Sequence, residues 1–218
     1  MLLSVNTFVS LDMVMQGPGS PDEDERHGFD RGGWLVPHTS DESNAVVDGW
    51  YRQADAILLG RTTFEMMREY WSEVTNPDDL VATALNNWQK YVVSTTMTDE
   101  EAAWGPTTVL RGDPIDAVRT LKQERGRELQ VHGSWQLART LHDAGLVDIY
   151  RLLIAPVYVG DGKRLFADGG VPATFSASPD ESIILPNGVV SLVLRPRRTG
   201  EVEVGAYHVA EGVRGESV

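Results

Sequence analysis

The order of predicted strands and helices is the feature that most constrains this sequence. Up to about residue 150, short apolar runs such as 56–59 alternate with segments of helical periodicity such as 41–53, and the later pattern is mostly strand. Such alternation is typical of a parallel sheet covered by helices, to which later strands are added in the antiparallel direction. The sequence therefore predicts an α/β fold with a mostly parallel central sheet, antiparallel C-terminal strands and helices on both faces.

The domain organisation follows from length and composition. A chain of 218 residues is expected to form one large domain, and the folding pattern extends over residues 1–195. The remaining segment, 196–218, is a polar tail in which Val202, Val204 and Ala206 alternate and could add one edge strand. The late strands are predicted at 147–159, 174–185 and 189–194, with a hairpin turn at 186–188.

One long loop, residues 17–33, is rich in glycine and acidic side chains. Loops of this length within compact domains are usually functional or mobile. Its acidic part, 21–31, is either a lid over a site or a disordered excursion, and the sequence leaves both interpretations open. Trp34 ends the loop and either belongs to the core or closes over a flat ligand.

Charge and composition exclude several kinds of partner. The chain has 19 Lys and Arg against 32 Asp and Glu, a formal net charge of −13. It therefore has no electrostatic footprint for nucleic acid or for an anionic membrane surface. We find no apolar run of 18 residues, no signal peptide and no cysteine. We expect a cytoplasmic protein that binds neither nucleic acid nor membranes.

The histidines give no indication of a metal site. The five histidines include no H-x-x-x-H pair, and the absence of cysteine removes thiolate ligands as well. We therefore expect no bound metal. His132 is best interpreted as a packed histidine with a satisfied backbone bond, although it lies next to a glycine that could take part in a binding site.

The first of three strand-to-helix junctions lies at residues 58–65. An apolar strand ends in Gly60, and a helix begins near Arg61 and Thr62, so free backbone N–H groups and the helix dipole favour an anion there. Arg61 adds a forked donor suited to phosphate, or is simply a solvated cation. The spacing of Thr62 and Glu65 is that of a capping box, which predicts that Glu65 is a cap partner.

The other two junctions have a similar form. In Val93-Ser94-Thr95-Thr96, hydroxyl side chains after a strand either bind phosphate or satisfy their own turn, and alone they favour the turn. In His132-Gly133-Ser134, the glycine permits a close backbone approach and Ser134 opens a helix. This third junction is either a diphosphate cradle or an ordinary tight turn with a serine cap.

Six motifs in order carry a resemblance to a known family. They are Val9–Asp12, Leu59–Glu65, Val93–Thr96, His132–Leu137, Gly145–Asp148 and Pro156–Phe166. Together they resemble the dihydrofolate reductase-like superfamily, in particular the branch similar to the C-terminal reductase domain of the bacterial riboflavin-biosynthesis deaminase-reductase, over roughly residues 2–195. The zinc-binding pattern of the deaminase is absent from this sequence, so the resemblance is to a stand-alone reductase-like protein.

The resemblance implies an eight-stranded sheet and NADPH as the cofactor. Arg61 and Thr62 would hold cofactor phosphates, and Ser94 and Thr95 would lie beside the adenosine 2′-phosphate. The turn at 133–135 would place backbone N–H groups on the diphosphate, and the loop 12–17 would lie against the nicotinamide. The cofactor-binding residues that it implies are Met15, Gln16, Gly17, Gly60, Arg61, Thr62, Ser94, Thr95, Gly133, Ser134, Trp135, Gln136 and Leu137.

The sequence departs from this family at places that matter for the substrate. Met13 stands where many relatives have glycine, so the first loop is expected to be stiffer or differently shaped. Dihydrofolate reductases place a carboxylate on the first helix, whereas that position falls near Asn44 here, which argues against folate reduction. Asn44 and Trp34 are our candidate substrate-binding residues. Asp12 and Asp48 are the candidate proton donors, with bound water as a third option.

These observations predict an NADPH-dependent reductase. It would transfer a hydride to a C=N or C=O group of a small heterocyclic or sugar-derived substrate. Two alternatives stay open: a non-catalytic protein that binds or senses NADPH, and a reductase that depends on flavin or deazaflavin. The resemblance also implies a homodimer.

Overall fold

The computed structural model describes residues 1–166 and 168–206. Over these residues the chain forms one sheet with the strand order β4-β3-β2-β5-β1-β6-β9-β7, and β8 pairs with β9 beside that path. The strands are β1 (Leu2–Val9), β2 (Ala56–Gly60), β3 (Lys90–Val93), β4 (Thr107–Leu110), β5 (Glu128–His132), β6 (Ile149–Ile154), β7 (Ala173–Ala177), β8 (Ile183–Ile184) and β9 (Val190–Thr199).

Strand direction divides the sheet in two. All pairs among β1 to β6 are parallel, whereas β9 is antiparallel to β6, β7 and β8. The predicted mixed sheet is therefore confirmed, and the two-residue β8 adds a ninth strand to the eight that the resemblance implied.

In the described part of the chain, five α-helices cover the sheet on both faces, as predicted. They are α1 (Asp41–Tyr51), α2 (Arg61–Trp71), α3 (Leu80–Asn87), α4 (Pro114–Gln123) and α5 (Trp135–Asp143). Alternate residues of β2 show the two layers, because Ile57 and Leu59 pack with α1, α2 and α3 while Leu58 packs with α4 and α5. In the part of the chain described, none of these helices is long and apolar enough to cross a membrane.

The N-terminal cap of α1 agrees with the sequence, but that of α2 does not. Ser40 caps α1 in a capping box with Ser43. At α2 the N-cap is Gly60, because β2 continues into the helix with no residue between them. The predicted capping box of Thr62 and Glu65 is therefore wrong, and the Glu65 carboxylate instead accepts a hydrogen bond from Arg61 Nε at 2.8 Å.

Prolines shorten two of the predicted late strands. The strand predicted at 147–159 ends at Ile154, just before Pro156, and the one predicted at 174–185 is split after Ala177 by a turn that starts at Pro179. Proline fixes φ and has no N–H to donate to a sheet. The hairpin predicted at 186–188 is confirmed, since β8 and β9 pair across it.

The boundary at residue 195 falls inside a strand. β9 runs to Thr199 and passes through Pro196, next to an irregularity in its pairing with β7, where a proline is tolerated. Residues 201–206 form no strand, so the edge strand expected from Val202, Val204 and Ala206 is absent there. The rest of the predicted tail, 207–218, lies outside the described residues.

A buried ion pair joins the central strands on the face under α1. Arg151 of β6 binds Glu128 of β5 through two hydrogen bonds of 2.6 and 3.0 Å, and their side chains are only 3% and 5% exposed. Ser4 of β1 and Gln130 of β5 donate two further hydrogen bonds to Glu128 Oε1, at 2.7 and 2.6 Å. Charges this far from water are tolerated only when paired and hydrogen-bonded in this way.

We expect Glu128→Gln to lower the free energy of unfolding by about 3–5 kcal/mol, because the buried charge of Arg151 is left uncompensated. Urea denaturation measures the change. The control is Glu181→Gln, which breaks the exposed pair with Arg195 and is expected to cost less than about 1 kcal/mol. Equal losses in the two variants would contradict the proposed importance of the buried pair.

Candidate active site

The carboxyl ends of the parallel strands open onto a cavity of about 1100 Å³. Its lining includes the ends of β1, β2, β3 and β5, the loop after β1, and residues of α1, α2, α3 and α5. Ligands of open α/β sheets usually bind at this end of the strands. The volume lies at the upper end of the range of small-molecule sites.

The N-termini of α2 and α5 meet at this cavity because β2 and β5 are neighbours in the sheet. Ser134 Oγ accepts a hydrogen bond from the Gly60 N–H at 3.0 Å, and the Ser134 N–H donates to Thr63 Oγ1 at 3.1 Å. Gly60, the N-cap of α2, has no side chain, and the side chain of Ser134, the N-cap of α5, accepts no hydrogen bond from the first turn of α5. Within the described residues, both helices therefore present first-turn N–H groups to the cavity, an arrangement suited to an anion.

The turn between β5 and α5 has an uncommon backbone. Gly133 and Ser134 both have positive φ angles, 53° and 54°, and this conformation is strained for serine. Ser134 Oγ stabilises it by donating to the His132 carbonyl at 3.0 Å while it accepts from Gly60. Of the two interpretations of this turn, the ordinary serine cap is wrong, because the Ser134 side chain bonds no N–H of α5 and ties α5 to β2. The diphosphate cradle stays a prediction.

Arg61, Ser94 and Thr95, which the resemblance implied for the adenosine 2′-phosphate, all line the cavity. We call their surroundings the phosphate region. Ser94 Oγ accepts from two backbone N–H groups of its own turn, at 3.0 and 3.3 Å. The Arg61 guanidinium donates to Glu65 at 2.8 Å, Thr96 at 3.0 Å and Glu101 at 3.2 Å. The hydrogen bond that Arg61 donates to Glu65 and the charge of both carboxylates raise the pKa of Arg61.

The segment Met15–Gly17 lines the cavity as predicted. The Met15 N–H donates to the Lys163 carbonyl at 2.9 Å. The Gln16 side chain donates to the carbonyls of Asp24 and Arg26, both at 3.0 Å, and accepts from the Lys163 N–H at 3.1 Å. Gln16 thus fixes the long loop to the segment that follows β6.

The long loop 17–33 forms a wall of the cavity. Its residue Asp24 makes a largely buried ion pair with Lys163 at 2.7 Å, and Arg26 reaches Thr62 of α2 at 3.4 Å. Asp24, Arg26 and His27 line the cavity. Of the two interpretations that the sequence left open, this geometry favours the lid.

Asp12, a predicted proton donor, does not belong to the cavity lining. Its carboxylate accepts hydrogen bonds from Ser10 Oγ at 2.7 Å, the N–H groups of Val159 and Gly160 at 3.0 and 2.9 Å, and Arg164 at 3.1 Å. Burial alone would raise the pKa of Asp12, but these bonds hold it well below its usual value. We therefore correct the prediction: Asp12 is an ionised anchor for the segment 159–164.

Trp34 also lies outside the cavity lining, whereas Asn44, the other substrate candidate, belongs to it. The Trp34 indole is buried in a cluster with Phe29 and donates to the Gln16 carbonyl at 2.8 Å, so it supports the segment Met15–Gly17 from the side away from the cavity. Asn44 and Asp48 of α1 line the cavity as expected. Within residues 1–166 and 168–206, the Asp48 carboxylate has one distant partner, Arg52, at 3.5 Å.

The sequence interpretation missed several residues that the structure brings to the site. Tyr51 of α1 stacks on His132 of β5, with ring centroids 4.5 Å apart, and Asp24 pairs with Lys163. The alternation of Glu128, Gln130 and His132 within an otherwise apolar strand was the one available signal. It indicates a polar stripe on one face of the sheet but does not identify its partners.

The fold and this cavity define a class, the proteins with a dihydrofolate reductase-like fold. The structure is similar to that of dihydrofolate reductase from Enterococcus faecalis complexed with NADP(H), with a TM-score of 0.52 and 11% identity over 90% of this chain and 97% of that one. Within the class, residues 2–190 match the family described as the RibD C-terminal domain. The chain belongs to that family, which is reductase-like.

Other relatives agree with this assignment. A putative riboflavin biosynthesis protein from Shewanella sp. PV-4 has a TM-score of 0.64 at 18% identity, over 91% of this chain and all of that one. The deaminase/reductase of Thermotoga maritima has a TM-score of 0.59 at 12% identity, over 89% of this chain and 56% of that one. These identities show the fold alone.

A curated relative is similar at the level of sequence. It is the uncharacterized protein YyaP of Bacillus subtilis (strain 168), which is 31% identical over 118 residues. The match spans 53% of this chain and 61% of the relative.

Asp12 gives a prediction about pH. Because its pKa is lower in the folded state than in the unfolded state, near 3.9, its ionised form stabilises the fold above that pH and the contribution is lost on further acidification. We expect Asp12→Asn to cost about 1–2 kcal/mol at pH 7 and progressively less below about pH 4. Urea denaturation at several pH values measures this.

The control for this experiment is Asp161→Asn in the segment that Asp12 anchors, where the carboxylate accepts from the neighbouring Gly162 N–H. We expect a clearly smaller loss than for Asp12→Asn at pH 7. A constant cost for Asp12→Asn from pH 7 down to pH 3 would show that the hydrogen bonds do not depend on its charge.

Proposed function

We propose that this protein is an NADPH-dependent reductase that transfers a hydride to a C=N or C=O carbon of a small heterocyclic or sugar-derived substrate. One observation carries the proposal: two helix N-termini, tied together by Ser134, face a large cavity at the carboxyl end of the sheet. Such a pair of N-termini suits a dinucleotide diphosphate. Membership of a reductase-like family supports the reaction type.

The diphosphate would be held chiefly by backbone groups. The N–H groups of Trp135, Gln136 and Leu137 open α5, and those of Arg61 and Thr62 open α2, while the Gly60 N–H is engaged by Ser134 Oγ. Gly133 has no side chain to obstruct an approach, and a Cβ there would already lie 3.4 Å from the Thr63 methyl group. The strained turn thus leaves room for a phosphate beside its N–H groups.

Preference for NADPH over NADH would depend on Arg61. Its guanidinium donates to Thr96, which follows Ser94 and Thr95 in the turn where an adenosine 2′-phosphate would lie, and it is held by Glu65 and Glu101. A phosphate would have to replace Glu101 as the partner of Nη2. Because guanidinium–phosphate pairs are strong and geometrically specific, this exchange favours the phosphorylated cofactor.

The chemistry divides between cofactor and protein. The cofactor supplies the hydride, and the protein orients the nicotinamide and excludes water. Backbone groups at Met15 and Gln16 would orient the ring, and the loop 17–33 covers this side of the cavity. The proton would come from Asp48 on the α1 wall or from a bound water, since Asp12 is already engaged elsewhere.

Titration with NADPH and with NADH, followed by nicotinamide fluorescence at moderate salt, tests the proposal. We expect tighter binding of NADPH, and a loss of about tenfold or more in its affinity for Arg61→Ala with little change for NADH. Arg119→Ala, an exposed cation of α4, is the control and should leave both affinities unchanged. Failure of both nucleotides to bind would overturn the reductase proposal.

A second variant tests how Arg61 is held. Glu101→Gln removes the negative charge that competes with a 2′-phosphate, and glutamine can still accept the hydrogen bond from Thr98 N–H, which is 2.8 Å long in the native protein. We expect NADPH to bind several-fold more tightly and NADH to be unaffected. Weaker binding of NADPH would mean that Glu101 positions Arg61 for the cofactor instead of competing with it.

A further inference from the structure

A stacked aromatic pair lies at the cavity outside the groups assigned to the cofactor. Tyr51 ends α1 and His132 ends β5, and their rings are 4.5 Å apart and nearly parallel, at 11°. The two residues are 2% and 6% exposed, and both line the cavity. Their polar atoms are thus almost wholly removed from bulk water, which makes any free hydrogen-bonding capacity notable.

The proton on the His132 ring is assigned by its neighbours. Gln130 Nε2 donates to the Trp50 carbonyl and to the Glu128 carboxylate, both at 2.6 Å. Since neither of these groups can donate, the orientation of the amide is fixed and Gln130 Oε1 is an acceptor. His132 Nε2, 3.0 Å from that oxygen, must therefore carry the proton. In the neutral ring, Nδ1 is then left with a lone pair.

The neutral state of His132 has a clear physical cause. Burial, helped by the charge of Arg151, lowers the pKa of His132 to about 3. At physiological pH the ring therefore carries one proton, on Nε2, and Nδ1 acts only as a hydrogen-bond acceptor.

Two polar atoms of the pair have no protein partner among the described residues: His132 Nδ1 and the Tyr51 hydroxyl. In that part of the chain every side-chain N or O atom that is fully shielded from solvent has a partner. Both atoms must therefore be reached from the cavity that their residues line. A buried acceptor and a buried hydroxyl left free in this way point to a ligand that completes them.

The charges around the pair select the ligand. Asp48 of α1 and the residues Asp78 and Asp79 at the start of α3 also line the cavity, and the arm is the part of it lined by Tyr51, His132, Asp48 and Asp79. Burial together with the nearby charge of Asp79 raises the pKa of Tyr51. The Lys and Arg residues among the described lining are Arg26, Arg61 and Lys163, and all three are paired with carboxylates of the loop or of the phosphate region.

We propose that this arm binds a flat group of the ligand that presents N–H donors and is uncharged or positively charged, and that it rejects anionic groups such as phosphate. His132 Nδ1 accepts from one donor, and the carboxylates of Asp79 and Asp48 complement a positive charge. Glu128 and Gln130 are positioning residues that set the His132 tautomer. That the bound group belongs to the substrate rests on the proposed function; the binding itself rests on these residues.

Two probes of the same shape and opposite charge test the arm. Benzamidinium is a flat cation with N–H donors, and benzoate is a flat anion with acceptors only. In titrations of the full chain observed by ligand NMR at pH 7, we expect benzamidinium to bind about tenfold more tightly or better, because its donors meet charged and neutral acceptors. Equal or tighter binding of benzoate would overturn the proposal.

Variants locate the probe. His132→Phe keeps the stack and removes the acceptor, and Asp79→Asn removes a charge while keeping a side chain that can cap α3. Each is expected to weaken benzamidinium binding about fivefold or more. The control is Asp113→Asn, the same change at the N-cap of α4 on the opposite face of the sheet, which should have no effect. Unchanged binding in both test variants would show that the arm is not the site.

The tautomer has its own spectroscopic signature. Nitrogen-15 NMR of the histidine-labelled protein should show His132 neutral, with its proton on Nε2. Gln130→Leu should lose that preference and weaken benzamidinium binding. A proton on Nδ1 in the native protein would overturn the role of Gln130 and Glu128, whatever the stability of the variant.

The design separates this inference from the proposed function. Each titration is carried out with and without saturating NADPH. If NADPH does not bind, the reductase proposal fails, and the two probes still decide the subsite. If NADPH binds but benzamidinium shows no preference over benzoate, only the subsite fails.

Discussion

The buried ion pair between Arg151 and Glu128 lies at the centre of this structure. It joins the two strands that flank β1, and Ser4 of β1 completes its hydrogen bonds. Removing one charge would leave the other unpaired in the core, so the register of these strands is closely tied to the pair. The same carboxylate orients Gln130, and through it His132 at the edge of the cavity. The buried ion pair is thus linked to the tautomer of His132, which lines the cavity.

A second constraint acts where the parallel strands end. β2 and β5 are adjacent, so the helices that follow them begin side by side, and Ser134 connects the two N-termini. The serine adopts a left-handed backbone conformation and uses its hydroxyl to stabilise the junction. Among the described residues no N-cap side chain bonds the first turn of either helix, so both N-termini line one cavity in a form that suits anion binding, in a chain with a net charge of −13.

Acidic side chains have different effects in different parts of the cavity. Near α2, Glu65 and Glu101 hold Arg61 and compete with any phosphate there. In the loop, Asp24 binds Lys163 and closes one wall. Around α1 and α3 the carboxylates have no such basic partners among the described lining residues, apart from the weak pair of Asp48 with Arg52. The cavity is therefore suited to an anion at the helix N-termini and to a donor-rich group beside His132.

The sequence by itself determined the α/β class, the mostly parallel direction of the central strands and the strand-to-helix junctions at Gly60 and Gly133. These features depend on periodicity and on local backbone preferences. The sequence candidates Asp48 and Asn44 line the cavity, and their roles stay predictions. Only the tertiary structure decided that Asp12 is an anchor, that Trp34 lies behind the site, and that Tyr51 stacks on His132. Such contacts join residues far apart in the chain, so neither spacing nor periodicity can encode which partner each side chain finds.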